Sequence, residues 1–253
     1  MSFHHLDHYA RIDSPVTRRP PTVRLVVTVI IALGAAVLPL GAWTQIGALG
    51  LLVLMLAAIA RIRAAVFLRR LLAPLAFVAL VSVAVLVLAP GAPRLTLGPL
   101  TLTDTGLLRF GSALGRAAVA LGATVVLVST TRFTQLLEAL RQLRLPTVVT
   151  TSLGLAYRYL YVLTDEVERL RRAARSRNAA AGAAPRRRLL IGIAATSLRR
   201  SFDRSERIHH AMLGRGYTGH MPALRTAPAA GSPALEVGIV LTLVLAVVIT
   251  AWL

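Results

Sequence analysis

Cysteine and lysine are both missing from this chain of 253 residues. Without cysteine there is no disulfide framework, no thiolate metal site and no cysteine nucleophile. Without lysine the chain cannot itself be a P-loop ATPase, because G-x-x-x-x-G-K-[ST] needs the ammonium to reach the phosphates. Acids are scarce: 10 Asp and Glu stand against 29 basic residues, all of them arginine, for a net charge of +19. Such uniform use of arginine beside abundant alanine is what codon bias in a GC-rich genome produces. No H-E-x-x-H or G-x-S-x-G pattern occurs, and no close acid pair lies inside an apolar run, so the chain is not expected to be an enzyme. The opening "MSFHHLDHYARIDSPVTRRPP" lacks an apolar h-region, so no cleavable signal peptide is expected and the first apolar run directs insertion.

What the chain has in quantity is apolar sequence. It is 56% hydrophobic with a mean hydropathy of +0.68, which implies a polytopic membrane protein of all-α class. Apolar runs cover Val23–Leu40, Ile46–Ala60, Leu71–Ala89, Leu107–Thr130 and Leu235–Leu253. A span takes about 20 apolar residues for a ~30 Å core. The second run is short and has to borrow Trp43 or tilt, and the working count is five spans, plus or minus one.

Arginine sets the expected orientation. Arg11, Arg18, Arg19 and Arg24 lie at the start, Arg61, Arg63, Arg69 and Arg70 lie between the second and third runs, and the first and third loops hold only Arg94. By the positive-inside rule the N-terminus is cytoplasmic. The chain then divides into a cytoplasmic arm (1–22), four spans (23–130), a cytoplasmic segment (131–233) and a last span (234–253).

That cytoplasmic segment carries much of the charge. Thr131–Ala227 holds 18 arginines and 6 acids, +12 of the total +19. "TRFTQLLEALRQLRL" reads as a short amphipathic helix. Pro146 then suits the first turn of a long one, a rod of roughly 50 Å. Its first half is apolar around Arg158, and its second half is charged, with Asp165/Arg169 and Glu168/Arg172 at i,i+4. A second long helix follows Pro185, with Leu190, Ile193, Leu198, Phe202, Ser205, Ile208 and Met212 forming a strip and Arg200, Asp203, Arg204 and Arg207 largely elsewhere. "NAAAGAAPRRR" and "TAPAAGSP" read as linkers.

The two long helices end alike. One closes on Ala173-Ala174-Arg175-Ser176-Arg177-Asn178, the other on Ala211-Met212-Leu213-Gly214-Arg215-Gly216. In each, alanine is followed after two residues by a small residue, arginine, and a residue that tolerates a left-handed helix end. Arginine there is favoured by the helix dipole, small neighbours let another surface approach, and guanidinium grips carboxylate bidentately. Taken singly, either arginine is ordinary capping.

These paired ends resemble the two Ala-Arg-Gly signatures of the transmembrane scaffold, or T component, of energy-coupling factor (ECF) importers, the EcfT/CbiQ family. "HHLDHYARIDSPVTRRPPTVRL" and "LLEALRQLRLP...YRYLYVLTDEVERLRRA" are similar to its cobalt-type branch, so the likeness spans nearly the whole chain. The resemblance implies an all-α membrane fold of about five spans with one short and two long coupling helices. It implies two ABC ATPase subunits as partners, which bind the ATP, so this chain needs no cofactor. It also implies a substrate-binding membrane subunit, most fittingly for cobalt or nickel. Arg177 and Arg215 take the ATPase-coupling roles, with Ala173, Ser176 and Asn178 around the first and Ala211, Gly214 and Gly216 around the second. Ser176 and Gly214 stand where the family has alanine, and Asn178 where it has glycine. Ala174-Arg175-Ser176 offers a competing register for the first motif. Leu153, Leu155, Leu160 and Leu163 in the apolar half are expected to grip the substrate-binding subunit.

Other residues weigh less. His4, His5, Asp7 and His8 could bind cobalt or nickel, but they fall on the exit side and fit a docking arm better; no metal site is expected. His209, His210 and His220 read as surface or interface residues. Arg158, set in an apolar run, is expected to pair with an acid or with carbonyls. Nucleic-acid binding by the basic segment is disfavoured by its sparse aromatics, and the bilayer itself is a sufficient partner. A vitamin cargo, or a stand-alone permease with its own substrate path, remains the alternative.

Overall fold

In lipid a single apolar segment satisfies its own amides only as a helix. The computed structural model describes residues 14, 16–17, 19–88, 93–97, 100–176, 183–219 and 233–252. Five apolar helices form: α1 (Pro21–Val37), α2 (Trp43–Ile59), α3 (Ala64–Leu88), α4 (Asp104–Thr130) and α8 (Pro233–Trp252). Between α4 and α8 come α5 (Phe133–Gln142), α6 (Thr147–Ser176) and α7 (Ala183–Gly214).

The boundaries follow local chemistry. Pro21 stands in the first turn of α1, where its missing N–H costs nothing. The second apolar run does recruit Trp43 as the first residue of its helix. Arg69 and Arg70, expected in a loop, instead lie within α3, which starts at Ala64 and continues through Pro74. Likewise α7 starts at Ala183, two residues before Pro185, so the end of the expected linker is helical. Alanine and arginine are good helix formers, and Pro is tolerated in a first turn.

Among the described residues three helices are long and apolar enough to cross a bilayer, over Ala64–Ala84, Asp104–Thr130 and Ala234–Trp252. The other two apolar helices, α1 and α2, have 17 residues each, or about 25 Å of rise against a core of about 30 Å. Among the described residues one antiparallel strand pair interrupts the all-α pattern. β1 (Pro93–Leu97) pairs with β2 (Leu100–Thr103), Thr96 opposite Thr101 and Leu97 opposite Leu100. The sequence reading did not anticipate this local addition to an all-α membrane fold.

α4 is the hub, packing on α1, α2 and α3, while α8 packs on α1 and α2. Ile31, Leu49, Val53, Val119, Ala123 and Val244 meet in the core. Close approach of α2 to α4 depends on glycine. A Cβ added at Gly111 would sit 2.6 Å from Trp43 Cη2, and one at Gly115 would sit 2.9 Å from Ile46 Cγ2, the small-xxx-small device of membrane helices. Large apolar side chains also face outward, including Leu51, Phe77, Leu80 and Ile249. On a water-soluble domain that surface would be a liability, whereas lipid is its proper solvent.

The chain divides into two compact units. One holds α1–α4, the hairpin, α5 as far as Ala139, and α8. The other holds Leu140–Thr226, with α6 and α7.

Candidate functional site

The second unit is built on two long helices, 30 residues in α6 and 32 in α7. α6 starts after Pro146, whose carbonyl accepts from Val149 N and Thr150 N. Its buried positions include Thr150, Thr151 and Glu166. A buried carboxylate needs partners, and α7 supplies them. Glu166 Oε1 accepts from Arg200 Nη1 at 3.1 Å, and Oε2 accepts from Arg204 Nη2 at 2.8 Å. These hydrogen bonds, from Arg204 foremost and then Arg200, hold the carboxyl below its ordinary range. Glu166 is therefore a two-armed tie between the helices.

Beside the tie lies a cavity of about 340 Å³ between α6 and α7. Leu155, Tyr159 and Leu163 line it from α6, Ile208 and Met212 from α7, and Tyr217 from the segment beyond α7. Arg204 and His209 are its basic residues.

The end of α7 is set by backbone geometry. Tyr217 N donates to Met212 O at 3.0 Å and Gly216 N to Leu213 O at 2.9 Å, the paired 6→1 and 5→2 bonds of a left-handed helix stop. Gly216 supplies the required turn at φ +79°. Arg215 thereby becomes the capping residue and is exposed, as are Ala211, Gly214 and Gly216. Nothing lies within 4 Å of where a Cβ would stand on Gly214. The result is a guanidinium on a fixed helix end, flanked in sequence by two glycines.

The first motif is partly in view. Ala173 and Ser176 are exposed in the last turn of α6, and Ser176 Oγ donates to the Ala173 carbonyl at 2.9 Å. Arg175, the competing arginine, is also exposed in that turn. Arg177 and Asn178 lie outside the described residues, as do His4, His5, Asp7, His8 and His220.

The four leucines do not share one face. Leu155 and Leu163 line the cavity, while Leu153 and Leu160 are 39% and 42% exposed. The expected strip on α7 also needs correction. Leu190, Leu198 and Phe202 are exposed, whereas Arg204, Ser205, Ile208 and Met212 line the cavity with α6. Three- to five-residue spacing let the strip drift around the helix, and Arg204 and Phe202, two residues apart, fall on opposite sides. Of the expected i,i+4 pairs, Glu168–Arg172 forms at 3.7 Å. Arg158 is exposed and makes no ion pair among the described residues.

Glu166 was missed as a site residue. A signal did exist, because it continues the row Thr151, Leu155, Tyr159, Leu163 at spacings of four, four, four and three. A carboxylate at the end of a cavity-lining stripe asks for a cation on the facing helix.

Comparison with known proteins agrees with this architecture. The profile of the family described as CbiQ, cobalt transport protein, matches residues 13–224. The cobalt transport protein CbiQ of Rhodobacter capsulatus is 32% identical over 173 residues, covering 66% of this chain and 69% of that protein. An uncharacterized protein of Methanocaldococcus jannaschii is 30% identical over 123 residues, covering 49% of this chain and 44% of that protein.

Proposed function

Because this chain belongs to the CbiQ family of cobalt transport proteins, we propose that it is the transmembrane energy-coupling subunit of an ECF-type importer. Two separate ABC ATPase subunits bind and hydrolyse the ATP, and a substrate-binding membrane subunit carries the ion, cobalt or nickel. This chain transmits motion between them and performs no chemistry itself. Its N-terminus lies in the cytoplasm, in keeping with arginine concentrated before α1 and between α2 and α3.

The observation that supports the reading most is Arg215 on its glycine-stopped helix end. A cation there is exposed, flanked by Gly214 and Gly216, and carried on a helix end fixed by backbone bonds, which suits a bidentate contact with a carboxylate in a groove of an ATPase. Arg177 ends the first coupling helix in the same role. The Glu166 tie makes α6 and α7 respond together, so displacement at their ends reaches their apolar faces. Exposed Leu153 and Leu160 on α6, with Leu198 and Phe202 on α7, offer the apolar surface that a membrane subunit grips, while Leu155 and Leu163 pack the cavity between the helices.

The test is retention of the ATPases. Loss of one partner from a desolvated arginine–carboxylate contact costs about 3–5 kcal/mol, so Arg215→Glu should weaken ATPase co-purification at least a hundredfold while the subunit stays folded. ATPases retained at the wild-type level by Arg215→Glu would sink the coupling role of this helix end. Saturable cobalt uptake by the purified chain alone would favour a permease instead.

A further inference from the structure

α1 and α8 begin, and α2 and α4 finish, around a cavity of about 220 Å³. Its wall is aliphatic, with Val27, Ile31, Val53, Leu56, Val126 and Val240 among the lining residues. Its charged residues are Arg19, Arg24 and Glu236, two guanidiniums against one carboxylate. Arg19 takes the carboxylate, pairing through Nη1 with Glu236 Oε1.

Arg24 is left without an anion among the described residues. It is only 7% exposed, and every acceptor it has is neutral. Nη1 donates to the Thr130 carbonyl and, at 2.9 Å, to Thr131 Oγ1; Nη2 donates to the carbonyls of Arg19 at 3.0 Å and Thr17 at 3.4 Å. Its Nε is buried and has no acceptor. These bonds hold the head in place, yet no anion among the described residues offsets the charge, and an unpaired buried charge beside lipid is expensive.

The chemistry of an occupant follows from the two halves of the site. A transported metal cation is excluded, since it would meet two guanidiniums and no free carboxylate. A small inorganic anion would answer Arg24 and leave the aliphatic shaft empty. A purely apolar molecule would fill the shaft and leave Arg24 unpaired. An amphiphile with one anionic head satisfies both.

We propose that this cavity binds an anionic phospholipid, with one acyl chain between α1, α2, α4 and α8 and a phosphate oxygen accepting from Arg24 Nε. Basic pockets between membrane helices recognise anionic lipid heads in this way. The lipid sits at the start of α1 and α8 and the end of α2 and α4, so it cements these four helices to one another.

The test uses the full chain in detergent micelles doped equally with phosphatidylglycerol and phosphatidylcholine, read by native mass spectrometry. One phosphatidylglycerol should be retained in about fivefold preference, because phosphatidylcholine offers the same phosphate with its charge cancelled by its own choline. Phosphatidylglycerol with a photoreactive acyl chain should label peptides from 21–37, 43–59, 123–130 and 234–241. Arg24→Gln should abolish the preference. Val27→Phe, which fills the shaft and leaves Arg24 intact, should remove the label, and it decides the matter if Arg24→Gln does not fold. Equal retention of the two lipids, or labelling confined to other helices, overturns the proposal. If inorganic phosphate in the buffer displaces phosphatidylglycerol and removes the label, the site serves a free anion and the lipid assignment fails.

Discussion

Replacing Glu166 by glutamine leaves the shape of α6 unchanged and removes one charge. The amide oxygen can still accept from one arginine, but the amide nitrogen cannot accept from the other. Arg200 has a half-exposed side chain and recovers most of its loss from water, so its share is that of a surface pair, about 0.5 kcal/mol. Arg204 is 28% exposed and its Nη1 is already buried without a partner, so its bond to a charge is worth about 2 kcal/mol. Together the change should cost about 2–3 kcal/mol, raising the opening of α6 from α7 roughly 30- to 140-fold. Hydrogen exchange read by mass spectrometry reports this directly. Peptides covering 155–176 and 195–214 should exchange faster by that factor, with peptides of α1–α4 unchanged as an internal reference. Glu166→Asp should fall between. Exchange in α6 and α7 within threefold of wild type, or an equal rise in α4, would refute the claim that this carboxylate ties the two helices.

Three further outcomes follow from the same geometry. Hydrogen bonds from Arg204 and Arg200 hold the Glu166 carboxyl below the usual carboxylate range when folded, so in that acid range the folded unit binds fewer protons than the unfolded chain. The tie's stability is therefore complete above about pH 4.5 and fades as pH falls through the lower folded value, a slope in acid unfolding that Glu166→Gln should lack. Gly216→Val forces a β-branched residue to the φ of +79°, costing about 1–2 kcal/mol, so amides of 212–217 should lose protection. Gly111→Val places a Cβ 2.6 Å from Trp43 Cη2 and should lower the thermal midpoint through about 1–3 kcal/mol of overpacking, partly restored by Trp43→Ala.

Much of the architecture was legible along the chain because it is written in local quantities. Apolar run length marks membrane helices wherever they sit in sequence, and length alone required the second run to borrow Trp43 or tilt. The stop at Gly216 was legible too, since a left-handed turn is a property of one residue. The hairpin at Pro93–Thr103 was not, because its eleven residues carry no helix-length run and their pairing depends on each other. Arg69 and Arg70 were counted as loop because charge was weighed above helix propensity.

Composition and periodicity alone determined that this is an all-α membrane protein with a basic, two-helix segment ending in small-Arg-small signatures. Tertiary structure alone decided which face each long helix turns to the other. It put Arg204 and Met212 beside the cavity, left Leu198 and Phe202 outside, and brought Glu166 to arginines 34 and 38 residues away. It likewise seated Arg24 against Thr130 and Thr131, more than 100 residues distant. Spacing along one helix constrains relative angles within that helix. The phase between two helices is settled only when their side chains pack and their buried charges find partners.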